Sequence, residues 1–242
     1  MENEEELVGL DHCVLHLATY AKDPMNEKRD FPDMVFHKPV AASVICFREE
    51  EDDQFSVEAQ NFLSKKVDGE ENLVRQLVEY LDELSPTVLV TFFGHGFTLP
   101  VLYYRCFIHS IAAPVLFNPE TGFYPKHAVN HLELTNILTN YGSLPAKKMS
   151  YYNQRLLGLR ERSPEKVIEL ADSGKWGRIK GNLAVDTFCM GLLFLRHAVV
   201  TGLVLEDRED EVTGLLVDAC SKSKAVRALA DSVFEDAEEA ES

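Results

Sequence analysis

The sequence predicts an α/β fold in which an open sheet is flanked by helices, and three observations carry this. Short β-branched apolar runs, Thr87-Val88-Leu89-Val90 among them, have the pattern of buried strands. Glu70 to Leu84 is amphipathic, with Leu73, Val74, Leu77, Val78 and Leu81 on one face. Gly94 and Gly96 then form a corner before Leu99, Leu102, Tyr103, Cys106 and Phe107, which recur at helical spacing with Pro100 in a tolerated first-turn position. Strand, corner and helix place whatever follows Gly96 at the carboxyl edge of a sheet, where open α/β sheets bind ligands.

Taken in order, residues 1–8 are polar and acidic and read as disordered. Leu10 to Tyr20 is dense in apolar residues and reads as the first strand. A polar loop from Ala21 to His37 leads to a second strand, Lys38 to Phe47. Phe55 to Ala59 alternates and reads as a third, antiparallel strand after the acidic turn Glu49–Asp53, itself a solvated turn. Pro86 ends the Glu70–Leu84 helix and the Thr87 strand follows. In the segment His127 to Tyr141, Leu134, Ile137 and Leu138 have helical spacing. Tyr151 to Leu159 reads as a short helix ending at Gly158, and Ile179 to Arg196 as a long apolar one. An acidic linker and a carboxy-terminal helix, Val212 to Phe234, close the chain.

A chain of 242 residues with 45% hydrophobic content can bury a sizeable core as one α/β domain. Without an uninterrupted 18-residue apolar run it predicts no membrane span, and its acidic start is unlike a signal peptide. Five scattered cysteines without paired spacing read as reduced, buried thiols of a cytoplasmic protein. The formal charge of −16 works against polyanion binding, since phosphate contacts need basic side chains. That charge is uneven. Between Ala146 and Lys180 there are 9 bases against 4 acids, and Tyr151 and Tyr152 are interleaved with Lys147, Lys148 and Arg155. This stretch is the best single-stranded nucleic-acid surface in the sequence, and equally has the composition of a solvated helical face.

The stretch Phe93-Gly94-His95-Gly96-Phe97-Thr98-Leu99-Pro100-Val101-Leu102 resembles the second motif of the predicted 3′–5′ exonucleases related to the proofreading domain of family B DNA polymerases. That motif reads Asn-Gly-x-Gly-Phe-Asp-Leu-Pro-x-Leu. Further likeness lies in Leu15-His16-Leu17-Ala18-Thr19, in His131-Leu132-Glu133-Leu134, and in Asn182 to Asp186 followed by Leu192-Leu193-Phe194-Leu195-Arg196. The resemblance runs from about residue 10 to 205 and implies a ribonuclease-H-like mixed sheet flanked by helices. It divides the chain into an exonuclease-like domain, 1–205, and an acidic linker with an extra helix, 206–242, packed on it or on a partner.

In that family four acids hold two divalent ions and a Tyr orients the attacking water. The resemblance puts His16 and Ala18 at the first two acid positions, Thr98 at the third, Asn182 at the Tyr and Asp186 at the fourth. A second register places Asp11 and Cys13 at the first two and restores no acid pair either. Read by itself, His16 is a strand-end histidine bonded to a backbone carbonyl. Hard ions such as Mg²⁺ need carboxylate oxygens, so one retained acid predicts no cofactor, with Mg²⁺ or Mn²⁺ only if activity survives. His16, His95 and Asp186 would make a transition-metal site if the fold brought them together. The expectation is a degenerate exonuclease that binds nucleic acid through Gly94, Phe97, Lys147, Lys148, Tyr151 and Arg155, or that binds a protein partner or a second copy. An active nuclease with an altered metal site and an assembly subunit are the alternatives.

Overall fold

The computed structural model describes residues 11–22, 32–50, 54–84, 87–160 and 165–230. The expected disorder of residues 1–8, most of the Ala21–His37 loop, the tip of the Glu49–Asp53 turn, Arg162 and the end of the chain lie outside them.

Five strands form one mixed sheet in the order β3-β2-β1-β4-β5. Strand β1 (Asp11–Tyr20) pairs antiparallel with β2 (Lys38–Glu49), which pairs antiparallel with β3 (Phe55–Leu63). On its other side β1 runs parallel to β4 (Thr87–Thr91), which runs parallel to β5 (His131–Glu133). This is the ribonuclease-H-like mixed sheet with flanking helices. Strands β2 and β3 continue beyond the predicted Phe47 and Ala59, and β5 carries no sequence signal. Three residues are too few to show a period of two.

Alternate residues of β1 face the two layers. Cys13, Leu15 and Leu17 join Leu89 beneath α1 (Glu70–Glu83) and α2 (Leu99–His109). Val14 joins Ile45, Phe47 and Val90 beneath α7 (Trp176–Thr201). The predicted apolar face of α1 is the one it buries. Short helices α3 (Pro114–Phe117) and α4 (Leu134–Leu138) flank β5 in sequence. Helix α5 (Met149–Leu156) starts two residues before the predicted Tyr151 and ends before Gly158, whose φ of 69° suits glycine. Helix α6 (Val167–Asp172) packs on α7 and β1.

Helix α7 is long and apolar enough to cross a membrane, but 72% of that stretch is buried inside the protein. Its length follows from burial, since Ala184 to Ala198 supplies the centre of one hydrophobic layer and Ile179 and Leu183 pack in a second cluster with Ala18. The predicted Val212–Phe234 helix is broken. Helix α8 (Glu209–Cys220) begins earlier and packs on β3 and α7 through Val212, Leu216 and Cys220, and a second helical segment spans residues 224–230. At the break the Ser221 hydroxyl donates to the Asp218 carbonyl at 2.8 Å, a local bond that competes with helix continuation. All five cysteines are buried, and none forms a disulfide among the described residues.

Candidate functional site

His16 points to the α7 side of β1, in step with Val14, and lies close enough to Asp186 of α7 to feel its charge. Burial pushes the imidazole of His16 below its ordinary value, and the Asp186 carboxylate pulls the other way. Ala18, two residues on, is buried against Ile179 and Leu183 of α7. Asp11 stands at the far end of the strand, opposite Thr87 at the start of β4, and pairs with Arg48 at 2.9 Å. The pair Asp11 and Cys13 is therefore remote from the carboxyl edge, while His16 is near it.

Thr98 ends a tight five-residue turn, Gly94–Thr98, whose last N–H bonds back to the Phe93 carbonyl at 3.3 Å. It is buried and offers a hydroxyl where a carboxylate would be needed. A methyl at Ala18, a hydroxyl at Thr98, an imidazole at His16 and one carboxylate at Asp186 do not fit a pair of hard divalent ions. This donor set has fewer carboxylate oxygens than the four acids with which the family holds two ions.

Both glycines of the corner are required for space, and neither has a positive φ. A Cβ on Gly94 would lie 2.1 Å from Thr91 Oγ1 and 2.8 Å from His131 Nε2, and one on Gly96 would lie 2.3 Å from the Phe93 ring. The close approach that the sequence predicts is thus made to the protein's own side chains. Phe97 packs against the α1–α2 layer and meets His37 edge-on at 5.1 Å. The proposed nucleic-acid set therefore does not form one surface, because α5 packs on the α7 layer through Met149 and Tyr152. Tyr152 is core, against Phe92, while Lys147, Lys148, Tyr151 and Arg155 are exposed.

His95 does not converge with His16 and Asp186. It lies on the α1–α2 side, where its Nδ1 is 2.7 Å from Glu133 Oε2 and its backbone N–H donates to the same oxygen at 3.1 Å. Strands β4 and β5 pair in register, Leu89 with His131 and Thr91 with Glu133, which sets both β5 side chains on the Leu89 side.

Two adjoining clefts mark the α7 side, and they meet at Asn182. A smaller one of about 190 Å³ is lined by Lys148, Asn153, Arg160, Asn182 and Asp186. A larger one of about 550 Å³ is lined by Asn61, Arg178, Lys180, Lys222 and Lys224, with Ser43 in its floor. Ser43 pairs with His16 on one side and with Asn61 on the other, so a polar row crosses three strands towards Asp186. The side-chain oxygens of Asn61 and Asn153 are buried without a hydrogen-bond partner. Arg178 pairs with Glu165 at 3.1 Å, and Asn182 donates to the same carboxylate at 3.4 Å. Lys222 and Lys224 escaped sequence reasoning because they sit inside an acidic stretch, and only the break after α8 turns them to this cleft.

No curated protein matches this chain. Among solved structures it is similar to the family B DNA polymerase of the hyperthermophilic archaeon Pyrobaculum calidifontis, at 17% identity and a TM-score of 0.57 over 91% of this chain. The chain spans 27% of that polymerase's length, so the likeness is one of fold. The family model described as a predicted 3′–5′ exonuclease related to the exonuclease domain of PolB matches residues 29–233, reaching past the Leu205 at which the recognisable motifs stop. With the sheet order and most of the chain in agreement, this protein belongs to the family of predicted 3′–5′ exonucleases related to the exonuclease domain of PolB.

Proposed function

We propose that this chain has given up two-metal hydrolysis and acts as a nucleic-acid-binding protein that holds single-stranded nucleic acid along the α7 face. One observation carries the reading. On the face where the family's acids would stand, Asp186 is the remaining carboxylate of the motif; it shares its cleft with Lys148 and Arg160, and the adjoining cleft is lined by Lys180, Lys222 and Lys224. In a chain of net charge −16 such a gathering of bases around adjoining clefts suits a phosphate backbone. Tyr151 is 47% exposed beside it and offers a ring for base stacking. We place the protein in the cytoplasm, in keeping with buried cysteines that form no disulfide among the described residues. A second reading, docking of a protein partner, is favoured by the exposed side of α2, where Tyr103, Tyr104, Phe107 and Ile108 are 40–76% exposed.

The test uses a fluorescent 20-nucleotide single strand with the full chain. Anisotropy at low salt should report saturable binding, and incubation with Mg²⁺ or Mn²⁺ should leave the strand intact. Degradation that disappears in Asp186→Asn would overturn the loss of hydrolysis, and absence of binding to both DNA and RNA would sink the nucleic-acid role.

A further inference from the structure

On the opposite side of the sheet from Asp186, the donor atoms of His95, His131 and Glu133 all lie within 4.8 Å of one another. We propose that these three side chains form a mononuclear site for a borderline-soft divalent ion, Zn²⁺ being the best fit, which pins the Gly94–Thr98 corner to β5. The site differs from the position of the family's catalytic ions in residues, in sheet side and in ligand chemistry.

Ligand chemistry and geometry both support it. Two imidazoles and one carboxylate are a three-ligand Zn²⁺ set that leaves a fourth position for water, whereas Mg²⁺ prefers oxygen alone. The donors need only a small adjustment, because tetrahedral Zn²⁺ with bonds of about 2.0–2.1 Å spaces its ligands roughly 3.3 Å apart. His95 Nδ1 and Glu133 Oε2 are already 2.7 Å apart, and the two imidazole centroids 4.5 Å.

The outward nitrogen of His95 faces a backbone carbonyl, the arrangement that fixes the tautomer of a metal-binding histidine. His95 Nε2 is 3.5 Å from the Pro125 carbonyl, and the Nδ1 of His131 is buried and makes no hydrogen bond among the described residues. This leaves His95 Nδ1 and His131 Nε2 turned inward. Glu133 is 6% exposed, so its carboxylate sits where a cation is worth most, and His95, 28% exposed, leaves a path for entry. Gly94 completes the pocket, since a Cβ there would displace both Thr91 and His131. Without an ion the inward groups bond to one another and to Thr91, whose Oγ1 is 2.9 Å from His131 Nε2.

The experiment titrates the chelator-treated full chain with Co²⁺ and with Zn²⁺. The expected result is one ion per chain with a dissociation constant at or below the micromolar range, visible Co²⁺ absorption of tetrahedral type, and a higher melting temperature with Zn²⁺. His95→Gln and Glu133→Gln, which keep hydrogen-bonding side chains and so preserve the corner, should each weaken Zn²⁺ at least tenfold. Should Co²⁺ stay octahedral and Zn²⁺ bind no tighter than about 100 μM, or should both variants bind as the parent does, the cluster is only a hydrogen-bonded latch. Neither outcome bears on nucleic-acid binding, which rests on the other face.

Discussion

Charge in the larger cleft predicts how nucleic-acid affinity responds to salt. Lys180, Lys222 and Lys224 are all exposed, so Lys180→Gln, Lys222→Gln and Lys224→Gln together remove three positive charges without opening the core. Each phosphate neutralised on a single strand contributes about −0.7 to the slope of log affinity against log salt, so three lysines account for about −2.1. Between 50 and 200 mM salt, a change of about 0.6 in the logarithm, that share weakens binding roughly 18-fold. Lys148 and Arg160 add to the parent slope and stay in the variant. Anisotropy titrations at four salt concentrations give both slopes, and urea melts check that stability has changed by less than about 0.5 kcal/mol. A triple variant whose slope equals the parent's would refute the assignment of the larger cleft, whatever its affinity at one salt concentration.

Other outcomes follow from the interior. Arg105 and Glu70, both buried, are 3.1 Å apart, and Arg105 also donates to the Val35 carbonyl. Arg105→Ala would leave the Glu70 carboxylate with His109 at 2.9 Å as its remaining ion-pair partner, and should cost about 3–5 kcal/mol in urea denaturation. A loss under 1 kcal/mol would mean that water reaches Glu70. Phe188, fully buried in the middle of α7, should cost about 3–5 kcal/mol as Phe188→Ala, with unchanged far-ultraviolet circular dichroism. The pH dependence has a defined sign at His131, whose folded pKa is pushed down to about 3 while the unfolded chain takes up a proton near 6.5. Its contribution is full above about pH 6.5 and is lost as pH falls towards the folded value, by about 2 kcal/mol at pH 4.5 after allowing for partial exposure. With chelator present throughout, His131→Gln should therefore lose about 2 kcal/mol less stability than the parent between pH 7.5 and 4.5, and parallel losses would show that His131 titrates normally.

Much of the fold was legible along the chain because its signals are local. The apolar runs of β1, β2 and β4, the one-sided helix α1 and the strand–corner–helix order each need only neighbours in sequence to be recognised. The resemblance at His16, Ala18, Thr98, Asn182 and Asp186 is likewise a matter of spacing along the chain, since a motif's residues keep their spacing whatever they touch. Tertiary structure decided what those residues face. The alternation of β1 and the in-register pairing of β4 with β5 put His16 with Asp186 on one side, and His95 with Glu133 and His131 on the other. Sequence had grouped His95 with the first pair, because along the chain nothing distinguishes the two sides of a sheet until its neighbours are in place. The same holds for the basic cleft. Lys180 and Lys222 are far apart in sequence, and only the turn after α8, closing over β3 and α7, sets their charges around one concavity.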